Sequence, residues 1–297
     1  MHRPSSSSPS PSPSRARIPR SSRRPADVSA GPPGIEEIAG PVEIAVVSPR
    51  SGRFAPTIRS LRAFVSGLFT AQGQRLLLLP GAQAPWPGDQ AAVMRVAAEF
   101  DAGALFETAS GVWVASTSTG PILSTAIRQT FGTSAEANAD PGLVDALLAA
   151  CAPGGERTVP LVGIGVGLLA CGENNVLRNA QADGNRVSVR HHPGASLLMH
   201  VPVVFNGAHT NMGNWGKLNR RFQFLSKRAR LCLYATNNGA DVASWRSSLG
   251  AWYDGKKVAD GEGVLRSNLL STRLVKDADD RLRALVLRLP AGRGVPS

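Results

Sequence analysis

Residues 161–175 read LVGIGVGLLACGENN. The first eleven are apolar or glycine, and the last four are small or polar. An apolar run of this kind is a buried strand or helix segment, and the β-branched residues and glycines favour a strand. The spacing predicts one glycine-laced strand over 161–171, with a polar, helix-like segment opening at Gly172. Cys171 then stands where a buried strand stops and backbone N–H groups turn outward. Such a turn can hold an oxyanion, and a thiol at a helix start can be shifted toward the thiolate. Both properties suit a nucleophile that attacks a carbonyl or nitrile carbon. Free cysteine is also a common core residue, so position alone does not decide the matter.

The flanking sequence supplies a setting. VEIAVV (42–47), RLLLLP (75–80), ALFE (104–107), VWVA (112–115), VPVVFN (201–206), LCLYAT (231–236) and ALVLRL (284–289) have strand length and strand composition. Between them, 58–70, 89–100, 143–150 and 218–230 carry apolar residues at helical spacing. Strands apolar on both faces, alternating with amphipathic helices, indicate sheets covered by helices. Segment 108–118 adds antiparallel character, so the fold class expected is a mixed α/β sandwich in one domain. No repeat of solenoid period is present. Gly163, Gly165 and Gly167 form GxGxG inside the expected strand rather than at its exit into a helix, which argues against a dinucleotide site.

The chain has 297 residues, 42% hydrophobic and 18% charged, enough to bury a sizeable core. Its longest apolar run, 159–171, falls short of the roughly 18 residues that span a bilayer. Three cysteines at long spacing make neither a disulfide framework nor a zinc pattern, and the histidines lack ligand spacing. No metal or organic cofactor is expected, and a reducing cytoplasm is the simplest compartment. The net charge of +12 points to an acidic partner such as nucleic acid. Part of it belongs to residues 1–40, a Ser/Pro/Arg-rich stretch that reads as a disordered tail. Much of the rest belongs to Lys217, Arg220, Arg221, Lys227, Arg228 and Arg230, which read as the solvated face of a helix. Nucleic acid is therefore possible but not favoured.

Several segments, in order, resemble the nitrilase (carbon–nitrogen hydrolase) superfamily. CGEN at 171–174 is similar to its nucleophile region. PVEIAVVSPR (41–50) and LLLLPG (76–81) resemble its first two strands. AIRQTFGTSAE (126–136) resembles the loop that carries an Arg-Lys pair and ends near a second Glu. The stretch 203–239 resembles the strand, pocket loop, helix and strand that follow the cysteine, and YDGKKVADGEG (253–263) resembles a later hairpin. The resemblance implies an α-β-β-α sandwich with mixed sheets over 41–292, followed by a short tail, 293–297. It also implies a homo-oligomer and a small amide or nitrile substrate, hydrolysed through a thioester or thioimidate.

The family's chemistry uses a Glu base, a Lys that steadies the oxyanion, and the Cys. Here the three positions hold Gly81, Gln129 and Cys171, and Glu136 matches the auxiliary Glu. No lysine precedes Lys217. No Glu lies between Glu43 and Glu99, and Asp89 is the carboxylate nearest to Gly81. Losing the base costs about 10²- to 10⁴-fold in rate, and losing an oxyanion donor about 10²- to 10³-fold. Substitutes from the sequence are Glu107, Glu136 or Glu173 as base, and Lys217 or His209 as electrophile. Glu173, two residues past the cysteine, also suits a capping contact. The loop 207–215 borders the pocket by resemblance, so His209, Thr210, Asn211 and Trp215 are candidate ligand contacts, though Trp215 suits core packing as well. Three functions remain open: a thiol hydrolase with an altered triad, an inactive binding or assembly protein of the same fold, and a basic polyanion binder.

Overall fold

A computed structural model describes residues 41–49, 57–70, 72–80, 90–108, 110–117, 120–121, 127–180, 186–209, 214–237 and 245–289. The expected tails 1–40 and 293–297, together with Gly81, Asp89, Thr210 and Asn211, lie outside them. All described residues fall within one compact unit, Pro32–Ser297. The strands are β1 Val42–Pro49, β2 Gln74–Leu78, β3 Ala102–Glu107, β4 Trp113–Thr117, β5 Gly120–Pro121, β6 Thr158–Leu161, β7 Ile164–Leu169 and β8 Leu177–Ala180. They continue with β9 Arg186–Val189, β10 Val203–Ala208, β11 Leu231–Thr236, β12 Leu249–Tyr253, β13 Lys256–Asp260, β14 Gly263–Val264, β15 Ser271–Lys276 and β16 Leu282–Leu289. The helices are α1 Ile58–Ser66, α2 Gln90–Glu99, α3 Ser134–Ala139, α4 Pro141–Ala150 and α5 Trp215–Leu225.

Two seven-stranded sheets form, β15-β16-β1-β2-β3-β4-β5 and β14-β13-β12-β11-β10-β7-β6. Each has three parallel strands at its middle, β1-β2-β3 in one and β11-β10-β7 in the other, with antiparallel strands outside. The central strands are apolar on both faces because both faces are covered. Ile44, Leu76 and Leu105 meet Val166, Phe205 and Leu233 between the sheets. Leu61, Val65, Val93 and Val96 of α1 and α2 cover the outer face of the first sheet. Val144, Leu147, Leu218 and Phe222 of α4 and α5 cover the second. The result is the α-β-β-α sandwich expected from the sequence.

Two expected elements are corrected. The single strand over 161–171 is the hairpin β6–β7, with Leu161 paired to Ile164 around Val162 and Gly163. Both turn residues have positive φ, 44° and 76°. That is the backbone of a two-residue turn whose twist matches the strands. The valine at the first turn position masked this signal, because only Asn, Asp or Gly advertises such a turn. The helix expected over 218–230 spans Trp215–Leu225 instead. Asn214 caps it, its side chain accepting from the Lys217 N–H. Beyond Ser226, Arg228 and Ala229 adopt φ of 63° and 54°, which no α-helix tolerates.

Candidate active site

The parallel strands of both sheets end at the same place. Glu107 is the last residue of β3, Cys171 lies two past β7, and His209 follows β10 directly. Strand alternation sends Leu105 and Phe205 into the layer between the sheets. Glu107, two residues past Leu105, and His209, four past Phe205, continue on those same faces and meet. His209 Nε2 lies 2.6 Å from Glu107 Oε2, with Glu107 fully buried and His209 largely so. The imidazole also hydrogen-bonds the Cys171 side chain. Cys171 itself is half-buried. Thiol, imidazole and carboxylate thus form a continuous relay drawn from both sheets.

The bond to Cys171, and then the bond to Glu107, push the imidazole pKa up to about 10, against the opposing effect of burial. The ring is an imidazolium at neutral pH, so the pair is poised as a charged one. Trp113 packs beside it. This residue is the cross-strand partner of Glu107, and its ring stands edge-on to Phe205 at 6.0 Å between centroids. Gly207 makes room for it, since a Cβ there would lie 2.2 Å from the ring.

The turn that carries the cysteine is tightly braced. Gly172 has φ of 82°, and a Cβ on it would lie 2.0 Å from the Gly132 carbonyl oxygen, so glycine is required on two grounds. The next residues form a short 3₁₀ turn, Glu173–Val176. Asn206 of β10 donates to the carbonyls of Leu169 and Ala170 and accepts from Asn174 Nδ2. Arg221 of α5 donates to Asn174 Oδ1 and Asn175 Oδ1.

The remaining sequence candidates have other duties. Glu173 is fully buried and takes three donors: the Thr130 N–H at 2.7 Å, Arg157 Nη2 at 2.6 Å and the Ala170 N–H at 2.8 Å. Burial pushes its carboxyl pKa up, while Arg157 and the two amides pull it back. The Thr130 side chain also pulls it back. It ties three segments together. Glu136 is exposed. Its N–H donates to the Thr133 cap of α3, and its carboxylate accepts the Gly132 N–H just before that cap. Gln129 donates its amide to Phe131 O at 3.0 Å within the same loop. Trp215 joins Phe222, Tyr234 and Trp252 in an aromatic cluster, with the Lys257 ammonium 5.2 Å over its ring. Its role is packing rather than a ligand platform. Lys217 is exposed on the first turn of α5.

The expected basic helix face also divides. Arg221 and Arg230 are buried, and Arg230 donates to the Leu198 and Lys227 carbonyls. Among the described residues no group of three or more metal-ligating side chains occurs, and no helix is long and apolar enough to cross a membrane.

No family model matches the chain, and no curated protein does. Among solved structures it is similar to a carbon–nitrogen hydrolase from Helicobacter pylori G27, at 12% identity over 85% of this chain and 90% of that one, with a TM-score of 0.48. It is also similar to the Nesterenkonia AN1 amidase of the nitrilase superfamily, at 12% identity over 88% and 94%, TM-score 0.46. A third is a CN-hydrolase superfamily protein from Xanthomonas campestris, at 10% identity over 73% and 86%, TM-score 0.42. Beside the cysteine of this α-β-β-α sandwich stand a histidine and a glutamate from the two sheets.

Proposed function

We propose that the protein is a thiol hydrolase of non-peptide carbon–nitrogen bonds, in which Cys171 is the nucleophile, His209 the acid–base group and Glu107 its orienting carboxylate. The observation that carries this reading is the Cys171–His209–Glu107 relay, formed where the positions matching the family's Glu and Lys hold Gly81 and Gln129. A small amide or nitrile is the substrate class, supported by the likeness to amidases of the same architecture.

For an amide the steps balance as follows. The Cys171 thiolate adds to the carbonyl carbon, and the C=O electron pair moves onto oxygen. The backbone amides of the 171–172 turn are the oxyanion donors. The tetrahedral centre collapses, the C–N bond breaks, and the His209 imidazolium gives its proton to the leaving nitrogen. The thioester that remains is attacked by water, whose proton returns to His209. The C–S bond breaks, and the carboxylic acid leaves with the thiolate–imidazolium pair restored. One imidazole therefore does in both half-reactions what separate groups do elsewhere. Glu107 holds the ring through Nε2 and stabilises its positive charge.

The test is a panel of short aliphatic and aromatic amides and nitriles assayed for ammonia release, with intact mass spectrometry of the protein under turnover. An acyl adduct on Cys171 that is absent from Cys171→Ala supports the proposal. Turnover unchanged in Cys171→Ala sinks it.

A further inference from the structure

Away from the relay, the surface carries a cavity of about 710 Å³. Its walls come from the start of β9, the turn 193–199 and the outer side of α5 with the residues just beyond it. It shares no lining residue with Cys171, His209 or Glu107. Four cations line it, Arg186, Arg220, Lys227 and Arg228, and among the described residues no carboxylate does. Between them lie apolar surfaces of Val187, Met199 and Phe224.

Only part of this charge has a role in the fold. Lys227 and Arg228 follow the C-terminus of α5, where cations complement the helix dipole. Arg186 lies on a different element, and Arg220 lies in the body of the helix, so neither gains from that end. Arg228 lines the cavity from a strained stretch of backbone, with Arg228 and Ala229 both in the left-handed region. Four like charges converging on one concavity repel one another unless an anion sits among them. Lys227 also lies 5.9 Å over the Phe224 ring, so the aromatic wall and the cationic wall are continuous.

We propose that this cavity binds a small molecule bearing two or more phosphates on a planar, apolar body, of the nucleoside-diphosphate kind. The volume falls within the range of about 300–1,000 Å³ typical of small-ligand sites. Guanidinium forks match phosphate oxygens in pairs, and three of the four cations are arginines. Phe224 and Met199 offer the surface on which a planar group packs. A nucleic-acid strand would use the same charges but needs a track that continues beyond the cavity.

The experiment is calorimetric titration of the full chain with ADP and with inorganic pyrophosphate, at about 0.15 M salt, where bare surface attraction is largely screened. The expected result is saturable one-site binding of ADP. The double variant Arg186→Ala/Arg220→Ala weakens it at least tenfold, with melting temperature unchanged because both side chains are exposed. Phe224→Leu weakens ADP binding and leaves pyrophosphate binding intact. Three results overturn the proposal: no saturable binding of either probe, a double variant that binds like the parent, or retention only of long single-stranded oligonucleotides with an affinity that collapses as salt rises.

Discussion

Glu107 and Glu173 are both buried, both close to the cysteine and both ion-paired, yet they are built for opposite ends. Glu173 has both oxygens occupied by three donors, two of them backbone amides, and its partner is a guanidinium that does not release a proton. Glu107 faces an imidazole that also hydrogen-bonds the Cys171 side chain. One carboxylate is held by saturation, and the other holds a group that changes protonation state. Burial alone therefore does not mark a catalytic carboxylate. What marks it is a partner with a transferable proton.

Substitutions can break this contrast. Cys171→Ala removes the nucleophile on which the relay converges, and turnover of any responsive amide is expected to fall on the order of 10⁶-fold. Steady-state ammonia release checks this. His209→Ala removes the acid–base group, with an expected loss of about 10²- to 10⁴-fold in kcat and an unchanged far-ultraviolet spectrum. Glu173→Gln acts on the other carboxylate. It leaves a buried guanidinium unpaired, and the Nε and Nη1 of Arg157 have no hydrogen-bond partner among the described residues. A loss of about 3–5 kcal/mol is expected, seen as a lower midpoint in urea, while turnover per folded molecule is kept. Glu107→Gln shifts the balance toward activity: kcat falls about 10²-fold, and the urea midpoint falls less than in Glu173→Gln because the half-buried side of the pair, His209, can release its proton. The smallest effect is the pH dependence. The His209 pKa is raised from 6.5 to about 10. The stability it contributes is fully present below its unfolded pKa and is lost as pH rises through about 10. Alkylation of Cys171 by iodoacetamide, followed against pH, should show the parent's imidazolium titrating near 10 and no such step in His209→Ala.

The sandwich was legible because its strands are apolar on both faces and its helices are amphipathic, and those patterns survive without knowledge of any partner. The cysteine was legible from the abrupt end of an apolar run. The hairpin at Val162–Gly163 was hidden by a valine in a left-handed conformation, which no local rule anticipates. Glu107 and His209 were both named as substitutes, but their pairing was not readable. They are 102 residues apart in sequence and belong to different sheets. Their shared signal is position, since each falls at the end of an apolar strand, ALFE in one case and VVFNGAH in the other. The basic helix was misread in the other direction. Its spacing gave one solvated face, whereas Arg221 is drawn inward by Asn174 and Asn175 and the segment beyond Ser226 is no longer helical.

Gly207 and Trp113 carry a mechanical consequence. The indole sits at the vacancy left by a missing Cβ, so it acts as a peg from one sheet set into a notch on the other. The peg is the neighbour of Glu107, and the notch lies two residues before His209. Sliding one sheet along the other would drive the ring into the β10 backbone, and a packed core yields in jumps rather than by smooth shear. The spacing between carboxylate and imidazole is thus fixed by the rigid body of the molecule.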